Sequence, residues 1–155
     1  MDRTPEPAGP STSATRPRRP LGLPVWAIIG LALLSVPRIF AHDLGIDAGP
    51  IPAILTVGPV VVWIVAVLWA RVPSPLVTLL AVGAVYGVAL GIVHNVLWDQ
   101  VFGDDPPTLG DIDADLSEVP LRIATAVSSV FTGLIVGLLS GLVATLVRNI
   151  SGKAA

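Results

Sequence analysis

The sequence contains no cysteine and few charged residues. Disulfides, thiolate zinc sites and cysteine nucleophiles are therefore excluded. Charged residues make up 13% of the 155 residues and hydrophobic ones 53%, whereas a typical soluble domain carries about 25% charged residues. The mean hydropathy of +0.81 points the same way. This composition predicts an all-α integral membrane protein rather than a soluble domain.

Recognisable catalytic motifs are also missing. No segment reads as a dinucleotide-binding GxGxxG, a Walker A loop, an HExxH helix or a GxSxG elbow. We therefore expect a protein that is not an enzyme, with no catalytic residue, no cofactor, no metal site and no nucleic-acid partner.

Residues 1–20 form a proline-rich, arginine-rich segment. They contain five prolines and no large apolar residue after Met1, and they end in the basic cluster of Arg16, Arg18 and Arg19. Such a segment buries too little apolar surface to offset its ordering entropy. It is predicted to be a disordered cytoplasmic tail.

Four apolar segments follow, each near the roughly 20 residues that a membrane-crossing helix needs. They predict a four-transmembrane-helix bundle over residues 21–148, an acidic outer loop at 99–119 and a short tail at 149–155. Pro37 and Pro59 lie inside the first two segments and should kink them. A cleaved signal peptide is the alternative for the first segment, but Phe40 and its neighbours do not resemble a small-residue cleavage site. The predicted helices are 21–41, 51–70, 76–98 and 120–147.

Basic residues decide the orientation of a membrane bundle. With the N-terminus inside, seven of the nine basic residues fall on the cytoplasmic side, and only Arg38 and Arg122 fall outside. Both termini are therefore predicted to be cytoplasmic. The preference for arginine over lysine, with much Ala, Val, Gly and Pro, is typical of high-GC bacterial genomes, so a bacterial plasma membrane is expected.

Two columns of glycine at four-residue spacing mark the third and fourth predicted helices. Small residues at this spacing let helix backbones approach closely in lipid. A glycine zipper between these two helices is the favoured interpretation, and contact with a second copy of the chain or with another membrane protein is the alternative. The helix-packing residues are Gly83, Gly87, Gly91, Gly133, Gly137 and Gly141.

His94 shares the glycine face of the third helix. At about 100° per residue it lies within about 20° of Gly83, near the outer end of the helix. Other polar residues are expected at the same depth. The predicted cluster either binds the bundle together, or binds an ion, a proton or a small ligand; a metal site with two histidines and one aspartate is a third alternative. The cluster is Arg38, His42, Asp43, His94, Asn95 and Asp99.

The acidic loop contains DIDAD, which invites comparison with a calcium-binding loop. Asp111, Asp113 and Asp115 match its first three ligand positions, but Leu116 replaces the turn glycine and Arg122 the bidentate glutamate. A solvated loop, with Ser117 or nearby acids capping the fourth helix, is favoured, and weak cation binding stays open. Part of the loop also has the spacing of a short interfacial helix.

Two functional hypotheses remain. The chain resembles small four-helix multidrug exporters in size and helix count, but its first helix lacks the acidic residue on which they depend. The first hypothesis is a non-enzymatic scaffold or partner-binding bundle, with a homo-oligomer as one form. The second is a small transporter or channel subunit that uses the polar cluster around His94.

Overall fold

The computed structural model describes residues 21–43, 45, 49–103 and 105–152, and the described part contains helices and turns but no strand. Residues 1–20 and 153–155 lie outside the described residues, and with them the predicted disordered tail. The helices are α1 (Val25–Leu33), α2 (Val36–Asp43), α3 (Ile51–Trp69), α4 (Pro75–Val96), α5 (Trp98–Phe102) and α6 (Ala114–Ser151).

Three of the helices, α3, α4 and most of α6, are long and apolar enough to cross a membrane. Their outward faces carry large apolar side chains, among them Val65, Ile92 and Leu139, which are 57%, 58% and 57% exposed. An apolar exterior of this extent is stable against lipid but not in water. The prediction of an all-α membrane protein is confirmed at this level.

The first predicted span is two helices rather than one. The chain turns at Leu34 and Ser35 between α1 and α2, because Pro37 has no N–H to offer the carbonyl of Leu33. Thr78 Oγ1 donates to the Leu21 carbonyl at 2.7 Å, and Arg38 Nε donates to Thr56 Oγ1 at 2.5 Å. The pair therefore runs the length of the bundle, from the beginning of α4 to the beginning of α3.

The two ends of the bundle are named here for one residue each. The Asp99 end holds α5, the end of α4 and the beginnings of α3 and α6. The Arg148 end holds the beginning of α4 and the ends of α3 and α6. α3 and α4 run antiparallel because the link from Arg71 to Ser74 is short. α4 and α6 also run antiparallel, because Gly91 lies beside Ala126 and Gly141 beside Leu76.

The buried core lies where α1, α3 and α4 meet. Trp63 is fully buried there, and its indole N–H donates to the Leu31 carbonyl at 2.6 Å, beside the break between α1 and α2. Its ring meets the edge of Tyr86 with centroids 5.8 Å apart. An indole inside the bundle needs such a partner, and the broken helix supplies it.

The two glycine columns face each other across α4 and α6. A Cβ on Gly133 would lie 2.5 Å from the Gly87 Cα, and one on Gly141 would lie 2.8 Å from the Leu76 Cα. These distances are well inside van der Waals contact, so no larger residue fits without parting the helices. The geometry supports packing within one chain. Gly91 has more room, with its nearest atoms at 3.4 Å.

Two helix boundaries differ from the prediction. α6 begins at Ala114 rather than near Pro120 and continues to Ser151, so the end of the predicted acidic loop is helical, as is α5 at its start. Pro120 lies in the second turn of α6, where it gives the Leu116 carbonyl no N–H donor, and the helix nevertheless continues through it. Pro59 likewise lies inside α3 without interrupting it.

Candidate functional site: a polar cavity at the Asp99 end

A cavity of about 500 Å³ lies between α2, α4 and α6, in the half of the bundle nearer the Asp99 end. It reaches as deep as Tyr86, near the middle of α4. Its lining is polar for a membrane bundle, with one guanidinium, one imidazole, one phenol and four aliphatic hydroxyls. The polar lining residues are Arg38, Tyr86, His94, Thr125, Ser128, Ser129 and Thr132.

Arg38 lies in the first turn of α2, two residues after the helix begins, and its side chain lines the cavity. Its Nε donates to Thr56 Oγ1, and that hydroxyl donates to the Pro52 carbonyl at 2.6 Å. This relay fixes the guanidinium between α2 and α3. Arg38 also lines a smaller neighbouring cavity of about 240 Å³, which reaches Ser35 and Trp63.

The four hydroxyls belong to one face of α6. Ser129 Oγ donates to the Thr125 carbonyl at 2.7 Å, and Thr132 Oγ1 donates to the Ser128 carbonyl at 3.0 Å. Bonds of this kind satisfy the hydroxyl hydrogen within the helix and leave the oxygen lone pairs as acceptors. Ser129 is buried, whereas Ser128 and Thr132 are exposed, so the cavity opens sideways along α6.

The predicted polar cluster divides into separate groups. Arg38 and His94 line the same cavity, and His94 is half-buried and has an interaction partner. Asn95 turns away, with its Nδ2 donating to the Gly91 carbonyl at 2.8 Å. Asp99 is exposed and pairs with Arg122. The side chains of His42 and Asp43 lie outside the described residues, so their place in the cluster stays a prediction.

Arg122 of α6 links this helix to the end of α4 and to α5 at the Asp99 end. The sequence did not predict this role. Arg122 Nη1 donates to the Asn95 carbonyl at 2.8 Å and its Nη2 contacts Asp99 Oδ1 at 3.1 Å. Its Nε contacts Glu118 Oε1 at 2.7 Å, and its guanidinium carbon lies 5.0 Å from the centroid of the Trp98 ring. The four-residue spacing of Glu118 and Arg122 was the available signal.

The acidic segment before α6 is held by hydrogen bonds to Ser117. This buried hydroxyl accepts from the Leu109 N–H at 3.0 Å and donates to the Ile112 carbonyl at 3.2 Å. α6 begins at Ala114, so Ser117 lies inside the helix and the predicted capping role of Ser117 is wrong. Asp113 occupies the N-cap position, but its side chain makes no capping hydrogen bond. Within the described ranges, no group of three histidine or acidic side chains is placed to hold a metal ion.

The fold and its apolar exterior define a helical membrane protein with a polar cavity in one half of its bundle. No protein-family model matches the chain, and comparison with curated proteins and with solved structures gives no match. The geometry of the cavity is therefore the observation from which a function can be inferred.

Proposed function

We propose that the protein binds a small anionic solute in the cavity at the Asp99 end, as a subunit of a transporter or channel. One observation carries the proposal: Arg38 and His94, 56 positions apart in sequence, line one cavity, and the described residues that line it include no carboxylate. An arginine at membrane depth is costly unless it serves a polar pathway or a partner group.

The mixture of groups fits a small anion that carries its own acceptors or donors, such as a carboxylate. Arg38 supplies the positive charge and the planar donors that suit a carboxylate. The α6 hydroxyls and Tyr86 supply uncharged polar contacts around it.

The proposal includes a topology. α1 and α2 together would make a fourth crossing beside α3, α4 and α6, because their 19 positions from Val25 to Asp43 extend about 28 Å as helix. Both termini would face the cytoplasm of a bacterial cell, as the distribution of basic residues favours. The cavity would then open toward the outer leaflet of the plasma membrane.

Isothermal titration of the purified protein in detergent tests the binding. The titrants are sodium chloride, formate and acetate, with the choline salts as a check on the cation. We expect binding of at least one anion, and Arg38→Gln should weaken it by roughly tenfold or more, since hydrogen bonds to a charged group contribute about 1.5–3 kcal/mol. His94→Ala should weaken binding or transport while folding and oligomer size stay unchanged.

Arg18→Gln is the control, because it removes the same charge from the predicted N-terminal tail. An Arg38→Gln protein that binds each anion as tightly as the unmodified protein would overturn the proposal. So would a wild-type protein that binds none of them. If His94→Ala only lowers thermal stability and leaves binding unchanged, His94 is part of the packing.

A partner-binding bundle is the second candidate, and the sideways opening of the cavity favours it. Ser128 and Thr132 are exposed on α6 in line with large apolar residues such as Phe131 and Ile135. In lipid such hydroxyls would stabilise contact with another helix, in a homo-oligomer or a different membrane protein. Thr132→Leu should then lower the oligomer mass or partner recovery, without changing the stability of the single chain; Leu139→Ala, at an apolar exposed position, is the control.

A further inference from the structure

We infer that the Arg148 end carries a second site, which binds the phosphate group of an anionic phospholipid. A cavity of about 690 Å³ lies there, between the end of α3, the following turn and the end of α6. It is separate from the Arg38 cavity and shares no lining residue with it. Two arginines from different parts of the chain line it, Arg71 and Arg148.

The two arginines are held differently. Arg148 Nη1 donates to the carbonyls of Val72 at 3.3 Å and Pro73 at 3.0 Å, which fixes its guanidinium against the turn. Arg71 is exposed and has a backbone φ of +48°, a conformation that is uncommon for any residue but glycine, asparagine or aspartate. This backbone conformation sets the direction in which the Arg71 side chain leaves the turn.

The charge balance favours an anion. The helix ends of α3 and α6 each contribute about −0.5 charge from their free carbonyls, whereas the two guanidinium groups contribute two full positive charges. The described residues that line this cavity include no acidic side chain. The net positive charge of the site therefore persists after the helix ends are counted.

The walls identify the ligand as a lipid rather than a soluble phosphate. Leu68 of α3 and Val147 of α6 are apolar lining residues, and each lies within one turn of an arginine along the chain. Beside them Trp69 is 87% exposed, as expected of a tryptophan at the headgroup level. A phosphate group bonded to arginines, with an acyl chain along apolar helix faces, matches this order of polar and apolar surface.

The test compares lipid binding in detergent by native mass spectrometry, with phosphatidylglycerol and phosphatidylcholine as probes. We expect phosphatidylglycerol to bind more tightly, and Arg71→Asn to weaken it roughly fivefold, since one basic residue near a membrane surface contributes about 1 kcal/mol. Asparagine tolerates the positive φ, so the variant should fold. Arg71→Lys should retain most of the affinity, because it keeps the charge.

Arg38→Gln is the charge-matched control at the other end of the bundle, and it should leave phosphatidylglycerol binding unchanged. Equal binding of the two lipids would overturn the inference, as would an Arg71→Asn protein with unchanged affinity or an equal loss in Arg38→Gln. Full displacement of the lipid by millimolar inorganic phosphate would assign the site to a soluble ligand and also overturn it. None of these outcomes depends on anion binding in the other cavity.

Discussion

Replacing Gly133 by alanine is the sharpest test of how the bundle is held together. The new Cβ would lie 2.5 Å from the Cα and N atoms of Gly87, and it would also press against the carbonyl oxygen of Gly83. Carbon atoms attract best at about 3.5–4.0 Å, so α4 and α6 would have to part by about 1 Å. Both clashes are with backbone, so no side-chain rotation can relieve them.

The expected loss follows from two opposing effects. A gap of about 0.5–1 Å removes a quarter to a half of the attraction in each contact along the seam, and overpacking typically costs about 1–3 kcal/mol. Alanine is the better helix former and offsets up to about 1 kcal/mol of that. We therefore expect Gly133→Ala to lower the free energy of unfolding by about 1–2 kcal/mol.

The assay is reversible unfolding in mixed micelles, followed by circular dichroism as sodium dodecyl sulfate is added. Gly58→Ala is the matched control, because a Cβ at Gly58 on α3 would meet nothing within 4 Å. It should leave stability unchanged or slightly raised. Gly91→Ala should fall between the two, since its nearest contacts are at 3.4 Å. If Gly133→Ala and Gly58→Ala unfold alike, close backbone packing does not stabilise this bundle.

The remaining predictions concern the polar contacts and use the same unfolding assay. Trp63→Phe keeps an aromatic ring but removes the hydrogen bond from the indole N–H to the Leu31 carbonyl, so it should cost about 1 kcal/mol; Trp69→Phe, at an exposed position, should cost little, and equal losses would contradict the role of the buried N–H. Arg122→Gln should be destabilising at low salt and less so at 1 M salt, because part of its effect is electrostatic. Asp99→Asn should have the smaller effect, since the Asp99 side chain is 84% exposed; a larger loss than that of Arg122→Gln would refute the assigned contacts.

The sequence predicted the features that repeat along the chain. The apolar spans follow from composition, because a helix in lipid must be apolar over about 20 residues. The facing glycines follow from spacing, because residues four apart share a helix face. Pro37 marked the weak point of the first span, and the structure breaks the helix close to it.

Features that depend on pairing between distant segments were not predictable. His94 and Asn95 are neighbours at one depth, but they lie about 100° apart around the helix, and only His94 reaches the cavity. Grouping residues by their depth along the helix therefore combined side chains that point in different directions around it. The hydrogen bond from Trp63 to the Leu31 carbonyl depends on how α1 and α3 pack together, because the two residues are 32 positions apart in the sequence.

The length of α6 escaped prediction for a local reason. The acidic residues and Pro120 before the apolar run are typical of a loop and a first helical turn. Glu118 and Arg122 form an ion pair across this region at 2.7 Å, and Ser117 secures the segment that precedes it. These contacts extend the helix back to Ala114.

A helix of 38 residues is about 57 Å long, nearly twice the thickness of the hydrocarbon layer. As a membrane-crossing helix, α6 would therefore extend beyond the hydrocarbon layer or tilt within it. Its contact with α4 extends from Ala126, beside Gly91, to Gly141, beside Leu76. Because Arg122 bonds one end of this region to α4 and Arg148 bonds the other end to the turn before α4, α6 is secured at both ends and only its first two turns extend past these contacts.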